Sequence, residues 1–71
     1  MDRIPVSSTD LASVGYDVES SVLEVEFHKS GIYQYFGVAA DVHDQLISAS
    51  SKGRYFNEVI KKGGYSFAKV G

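Results

Sequence analysis

From Leu23 to His28 apolar and polar side chains alternate without a break, with Leu23, Val25 and Phe27 set against Glu24, Glu26 and His28. A period of two is the signature of a β-strand with one buried and one wet face. A helix through the same stretch would scatter its apolar residues around the axis. Lys29-Ser30-Gly31 follows, and then another strand-like run from Ile32 to about Val38, so the segment reads as a β-hairpin. A three-residue loop over 29–31, with Gly31 in the left-handed region, places His28 opposite Ile32, Phe27 opposite Tyr33 and Val25 opposite Tyr35. A two- or four-residue loop turns the tyrosines toward Glu24, Glu26 and His28 instead. Glycine at the third loop position favours the first arrangement.

Upstream, residues 13–18 form a further strand carrying Val14, Tyr16 and Val18 on one face, and Gly15 inside it marks a bulge or a close backbone approach. Beyond Val38 the period becomes helical. Val42, Leu46 and Ala49 form a stripe broadened by Ile47, with Asp41 and Asp44 in the first turn, where the helix dipole favours negative charge. Gly53 ends this helix or bends the chain after it. A second helix over 54–62 turns Phe56, Val59 and Ile60 inward and Arg54, Glu58, Lys61 and Lys62 outward, with Glu58 and Lys62 at a favourable spacing. Gly63-Gly64 closes it. The expected fold is α+β: a three-stranded antiparallel meander followed by two helices on one face (β-β-β-α-α), forming one domain over residues 1–71. Its core spans about 4–65, and residues 66–71 form a short extended tail.

The chain has 71 residues and no cysteine, so neither a disulfide nor a thiolate metal site stabilises it. Stability rests on the 44% of residues that are hydrophobic, nine aromatics among them. A chain this short has little room for both a core and a deep enclosed pocket, which argues against an enzyme. No run approaches the roughly 20 apolar residues of a membrane span, and the N-terminus lacks a signal-peptide pattern, so a cytoplasmic location is expected.

Net charge is −2, but it is segregated. Residues 1–51 hold eight acidic and two basic side chains, whereas residues 52–71 hold five basic and one acidic. Within the basic part, Lys52, Arg54, Tyr55, Asn57, Lys61 and Lys62 combine cations, a hydrogen-bonding amide and an aromatic ring. That chemistry grips phosphates while a base stacks, and it makes single-stranded or structured RNA the leading candidate partner. Tyr33 and Tyr35 are either a stacking platform or core residues packed on Val25, Phe27 and the helices, and the preferred hairpin register favours the core. Tyr55 and Tyr65 are freer to act at the surface. The row Glu24, Glu26, His28 reads as the wet face of a half-buried sheet. His28 and His43 are too few and too far apart for a metal site, and no phosphate loop or nucleophile elbow occurs, so no metal or cofactor is expected. The competing partner is a protein or a second copy of the chain, docking on Ile32 and Phe36 across the sheet face away from the helices.

Taken together, Pro5-Val6-Ser7-Ser8, Val14-Gly15-Tyr16-Asp17, Leu23-x-Val25-x-Phe27, Tyr33-x-Tyr35, the helix start from Val38 to Leu46, and Ser51-Lys52-Gly53-Arg54-Tyr55-Phe56-Asn57 resemble the KTSC domain. The resemblance spans about residues 4–65. Each motif is short, and it is their order and spacing that is specific. The family takes its name from a C-terminal appendage of some lysyl-tRNA synthetases and also includes small stand-alone bacterial proteins. It implies no catalytic residue and no cofactor. Its Tyr-x-Tyr motif falls on Tyr33 and Tyr35, and the synthetase context implies a role with RNA. Ala39 stands where the family often has proline, which removes a rigid first position from the helix.

Overall fold

The computed structural model describes all residues from Met1 to Gly71. A single antiparallel sheet holds five strands in sequential order. These are β1 (Ile4–Pro5), β2 (Leu11–Asp17), β3 (Val22–Phe27), β4 (Gly31–Phe36) and, after the helices, β5 (Phe67–Lys69). Between β4 and β5 the chain forms α1 (Ala40–Ser48) and α2 (Lys52–Tyr55), which runs on into a π-helical turn over Phe56–Lys61. The meander of β2, β3 and β4 is as expected. The three-strand count is corrected to five, because β1 and β5 are too short to show a period and are defined only by pairing with β2 and β4.

One sheet face carries Leu11, Val14, Leu23, Val25 and Tyr35, and these meet Val38, Leu46, Phe56 and Ile60 in a single core. Val18 lies beyond the end of β2 and is exposed, so it takes no part in that face. The hairpin register also differs from the expected one. Val25 pairs with Tyr33, Leu23 with Tyr35, and Phe27 with Gly31, a shift of two residues from His28 opposite Ile32. His28 lies just past the end of β3, where its backbone N–H donates to the Asp10 carbonyl at 3.0 Å and its ring meets the Ser8 carbonyl at 3.1 Å. The ladder between β3 and β4 therefore closes at Phe27 opposite Gly31, with His28, Lys29 and Ser30 as the loop. A shift of two preserves sidedness, so both tyrosines still face the helices. Gly31 has φ +94°, as the turn requires.

Gly53 does not end α1, which stops at Ser48. It lies buried in the first turn of α2, where a Cβ would stand 2.7 Å from the Asp10 carboxylate. The outward ion pair of α2 is Arg54 with Glu58, at 3.1 Å, in place of the expected Glu58–Lys62. The tail is a strand continued to the terminus, with the Ile32 N–H donating to Gly71 and the Val70 N–H to Ile32.

Gly15 is a site of close approach. A Cβ there would lie 2.5 Å from the Asp2 carbonyl, because the N-terminal segment crosses the sheet directly above it. That carbonyl is backbone and cannot rotate aside, so Gly15→Ala is expected to lift Asp2 and Arg3 off the sheet. The cost is about 1–3 kcal/mol. Thermal melting gives the loss, and faster exchange of the Val6 amide, which donates to the Ala12 carbonyl, locates it.

Beneath this crossing segment one residue of the expected wet face is covered, while Glu26 stays half-buried and His28 exposed. Glu24 is 6% exposed. Arg3 Nη1 donates to its Oε2, Gln34 donates to Oε1 at 2.8 Å, and Arg3 Nε donates at 2.9 Å to the Ser13 hydroxyl, which in turn donates to Glu26. Burial pushes the Glu24 carboxyl up, but the hydrogen bonds from Gln34 and Arg3 and the Arg3 charge outweigh it and hold the group below its ordinary value.

Candidate functional site

On the helix side, a groove of roughly 810 Å³ opens between the β3–β4 end of the sheet and the second helical segment. Its floor follows from the period of the strands. Phe27, Tyr33 and Tyr35 project toward the helices, and β5 sets Phe67 beside Tyr35 through direct pairing. Phe56, the first residue of the π-helical turn, closes the cluster from above. Its ring meets Tyr35 edge-on at 5.3 Å and Phe27 at 5.1 Å, while Phe67 stacks on Tyr35 at 5.4 Å with 27° between planes. Such geometries add to the energy of burial.

Tyr35 is 7% exposed, whereas Tyr33 is half-buried, with its ring edge-on to Phe27 at 5.7 Å. The two tyrosines are therefore core residues and groove wall at once. Tyr16 donates its hydroxyl to the Val38 carbonyl and Tyr55 to Gln45. No such protein partner takes the hydroxyls of Tyr33 and Tyr35, and no buried polar side-chain atom is left unpaired, so both open to the groove. Burial, and then the neighbouring Tyr33, push the Tyr35 phenol above its ordinary value, which keeps it a hydrogen-bond donor at neutral pH.

The rim is polar. Asn57 and Lys61 reach it from the π-helical turn, His28 and Lys29 from the hairpin loop, and Asp10 from the chain entering β2. Single π-helical turns of this kind concentrate at functional sites.

The structure divides the basic candidates named from sequence. Asn57 and Lys61 share the groove with Tyr33 and Tyr35. Lys52 and Arg54 line a smaller pocket of about 240 Å³ with Ser7, Ser8 and Ser51, and Thr9, Asp10 and Gly53 line both this pocket and the groove. Lys52 donates to the Ala49 carbonyl, and Arg54 is paired with Glu58. Tyr55 is turned toward α1, half-buried and bonded to Gln45, so it is not the free surface ring expected of it. Lys62 is exposed but lines neither cavity. Ile32 and Phe36 do share the opposite sheet face, where Gln34 and its bond to Glu24 separate them.

Sequence reasoning missed Asp10, Lys29, Phe27, Phe56 and Phe67 as groove residues. Phe67 falls in the tail 66–71, expected only as a short extended segment, and three strand residues are too few to show a period.

No group of three or more His, Asp or Glu side chains stands where it could hold a metal ion. No helix is long and apolar enough to cross a membrane.

A five-stranded antiparallel sheet with two helical segments on one face and an aromatic groove beneath the second defines a small α+β domain with a preformed cleft. The family model of the KTSC domain matches residues 7–65, and the chain belongs to that family. The chain is similar to a KTSC domain protein of Yersinia pestis known from its crystal structure, with 46% identity and a TM-score of 0.94 over 99% of this chain and 97% of that one. An uncharacterised protein of Stutzerimonas stutzeri is 40% identical over 99% of both chains. A lysine–tRNA ligase of Nostoc punctiforme is 36% identical over 78% of this chain, a match covering 10% of the ligase.

Proposed function

We propose that this domain is a non-catalytic module that binds single-stranded RNA in the aromatic groove. The observation that carries the reading is the union of Tyr33 and Tyr35, with free hydroxyls, and Asn57 and Lys61 in one cleft. A base enters against the half-buried Tyr33 and the exposed Phe67 ring, whose centroids are 6.3 Å apart. Stacking on such a surface is worth ~1–3 kcal/mol per base and tolerates any sequence. Lys29 and Lys61 meet the flanking phosphates, and the adjoining pocket with Lys52 and Arg54 lies on the path of the next one. The related segment within a lysine–tRNA ligase is consistent with an RNA ligand.

Short fluorescein-labelled RNA titrated with the protein at low ionic strength tests this. Binding should weaken as salt rises. Tyr33→Leu keeps apolar volume but removes the ring, and should lower affinity about tenfold. Lys61→Glu should lower it at least as much, whereas Lys62→Glu, outside the groove, should have a smaller effect. No binding at low salt, or equal effects of the two lysine reversals, overturns the groove assignment. Association lost instead on Ile32→Lys or Phe36→Lys would assign the domain to a protein partner on the opposite face.

A further inference from the structure

Asp10 is the one carboxylate lining the groove. Its position is built from three sides. Its backbone N–H donates to the Ser8 hydroxyl at 3.3 Å, its carbonyl accepts from the His28 N–H at 3.0 Å, and its carboxylate rests on Gly53, where a Cβ would lie 2.7 Å from Oδ2. No lysine, arginine or histidine pairs with this carboxylate, although Arg3, Arg54 and His43 each pair with another acid. Glycine at position 53 thus leaves room for an acceptor-only group in the groove that the aromatic rings line.

We infer that the groove selects guanine, with the Asp10 carboxylate accepting two hydrogen bonds from the base while its face stacks on the aromatic wall. This rests on the RNA reading above and deepens it. Guanine is the only common base that carries two adjacent donors, N1–H and the N2 amino group, side by side on its pairing edge. A carboxylate presents two parallel acceptors and matches that edge as it matches a guanidinium. Uracil offers one donor there, and cytosine and adenine offer one amino group flanked by an acceptor. An arginine side chain of a peptide presents the same donor pair as guanine. Charge decides between them, because Lys29 and Lys61 on the same rim repel a cationic peptide and attract a phosphate chain.

The test uses the full chain and fluorescein-labelled oligouridine carrying one central guanosine, inosine, adenosine or cytidine. The guanosine RNA should bind about tenfold tighter than the adenosine and cytidine RNAs, a ratio equal to about 1.4 kcal/mol and within the range of one bidentate base contact. Inosine, which lacks the N2 amino group, should lose most of that advantage. Asp10→Asn should bring the guanosine RNA to the level of the adenosine RNA. The inosine comparison needs no mutation and decides the matter even if Asp10→Asn melts early. Equal affinity for all four RNAs overturns guanine selection and leaves the RNA reading standing. Failure of every RNA to bind overturns both. Capture of an arginine-containing peptide, with spectral changes at Tyr33 and Asp10, would reassign the carboxylate to a guanidinium ligand.

Discussion

Tyr35→Ala should remove a large share of the stability of the domain, while Tyr35→Phe should leave it almost unchanged. The ring is nearly enclosed and touches Phe56 edge-on and Phe67 face-on, so truncation opens a cavity at the junction of sheet, π-helical turn and final strand. Losses of about 3–5 kcal/mol are usual for such a deletion. For a chain of this length the whole stability is on the order of 4–11 kcal/mol. The hydroxyl opens to the groove and holds no protein group, so its removal should change stability by less than about 0.5 kcal/mol. Tyr33→Ala should fall between, at about 2 kcal/mol, because half of that ring is already in water. Urea denaturation of the three variants checks the order. A Tyr35→Ala midpoint equal to that of the unmodified chain would mean the ring is not part of the core.

This dual character explains why the sequence alone left Tyr33 and Tyr35 suspended between platform and core. Alternation says which face a strand residue takes, and Leu23, Val25 and Phe27 were legible on that ground. It does not say how far the helices extend over that face. Here α2 and the π-helical turn cover Tyr35 and stop short of Tyr33, so neighbours of identical type differ in exposure. Phe56 and Ile60 were readable as inward residues from their four-residue spacing. The pairing partner of Tyr35 was not readable, because a ladder closing at Phe27–Gly31 and one closing at His28–Ile32 put the same residues on the same face, and alternation does not separate them.

The same limit applied to the groove. Asn57 and Lys61 lie four apart, about one turn, and the fold brings both to the groove. Lys52, Arg54 and Tyr55 were grouped with them by proximity in the chain, but a helix distributes consecutive residues around its axis. Tyr55 consequently faces α1, and Lys52 and Arg54 face the serine-lined pocket. Asp10 and Phe67 come from opposite ends of the chain and line one groove only through tertiary structure. Gly15 was legible as a bulge or a close approach because a glycine in a strand needs a reason, but which of the two, and that the Asp2 carbonyl is what approaches, was not.

Glu24 shows most sharply what local pattern cannot convey, and it yields the second large effect. Its neighbours in sequence predict a solvated carboxylate. Arg3, immediately before the two-residue strand at the sheet edge, converts it into a buried ion pair also held by Gln34. Breaking a buried pair by removing one partner costs about 3–5 kcal/mol, but the Arg3 side chain is 26% exposed, which lowers the expectation for Arg3→Ala to about 2 kcal/mol. Gly15→Ala acts on the same crossing segment, so the two losses should not add. The pair also makes the fold acid-sensitive. The Glu24 carboxyl lies below its ordinary value of 4.5 in the folded chain, so its contribution is complete above that pH and disappears as pH falls through the folded value. Asp17, held down by the Ser20 hydroxyl, titrates in the same direction and cancels when variants are compared. The stability difference between the unmodified chain and Glu24→Gln should therefore be constant near neutral pH and shrink below 4.5. In the Arg3→Ala background burial is opposed by Gln34 alone, so the same difference should be smaller at neutral pH and alter less in acid. Urea unfolding across pH for the four combinations measures this coupling. A difference that stays constant into strong acid would show that Arg3 and Gln34 do not hold the Glu24 proton off in the folded chain.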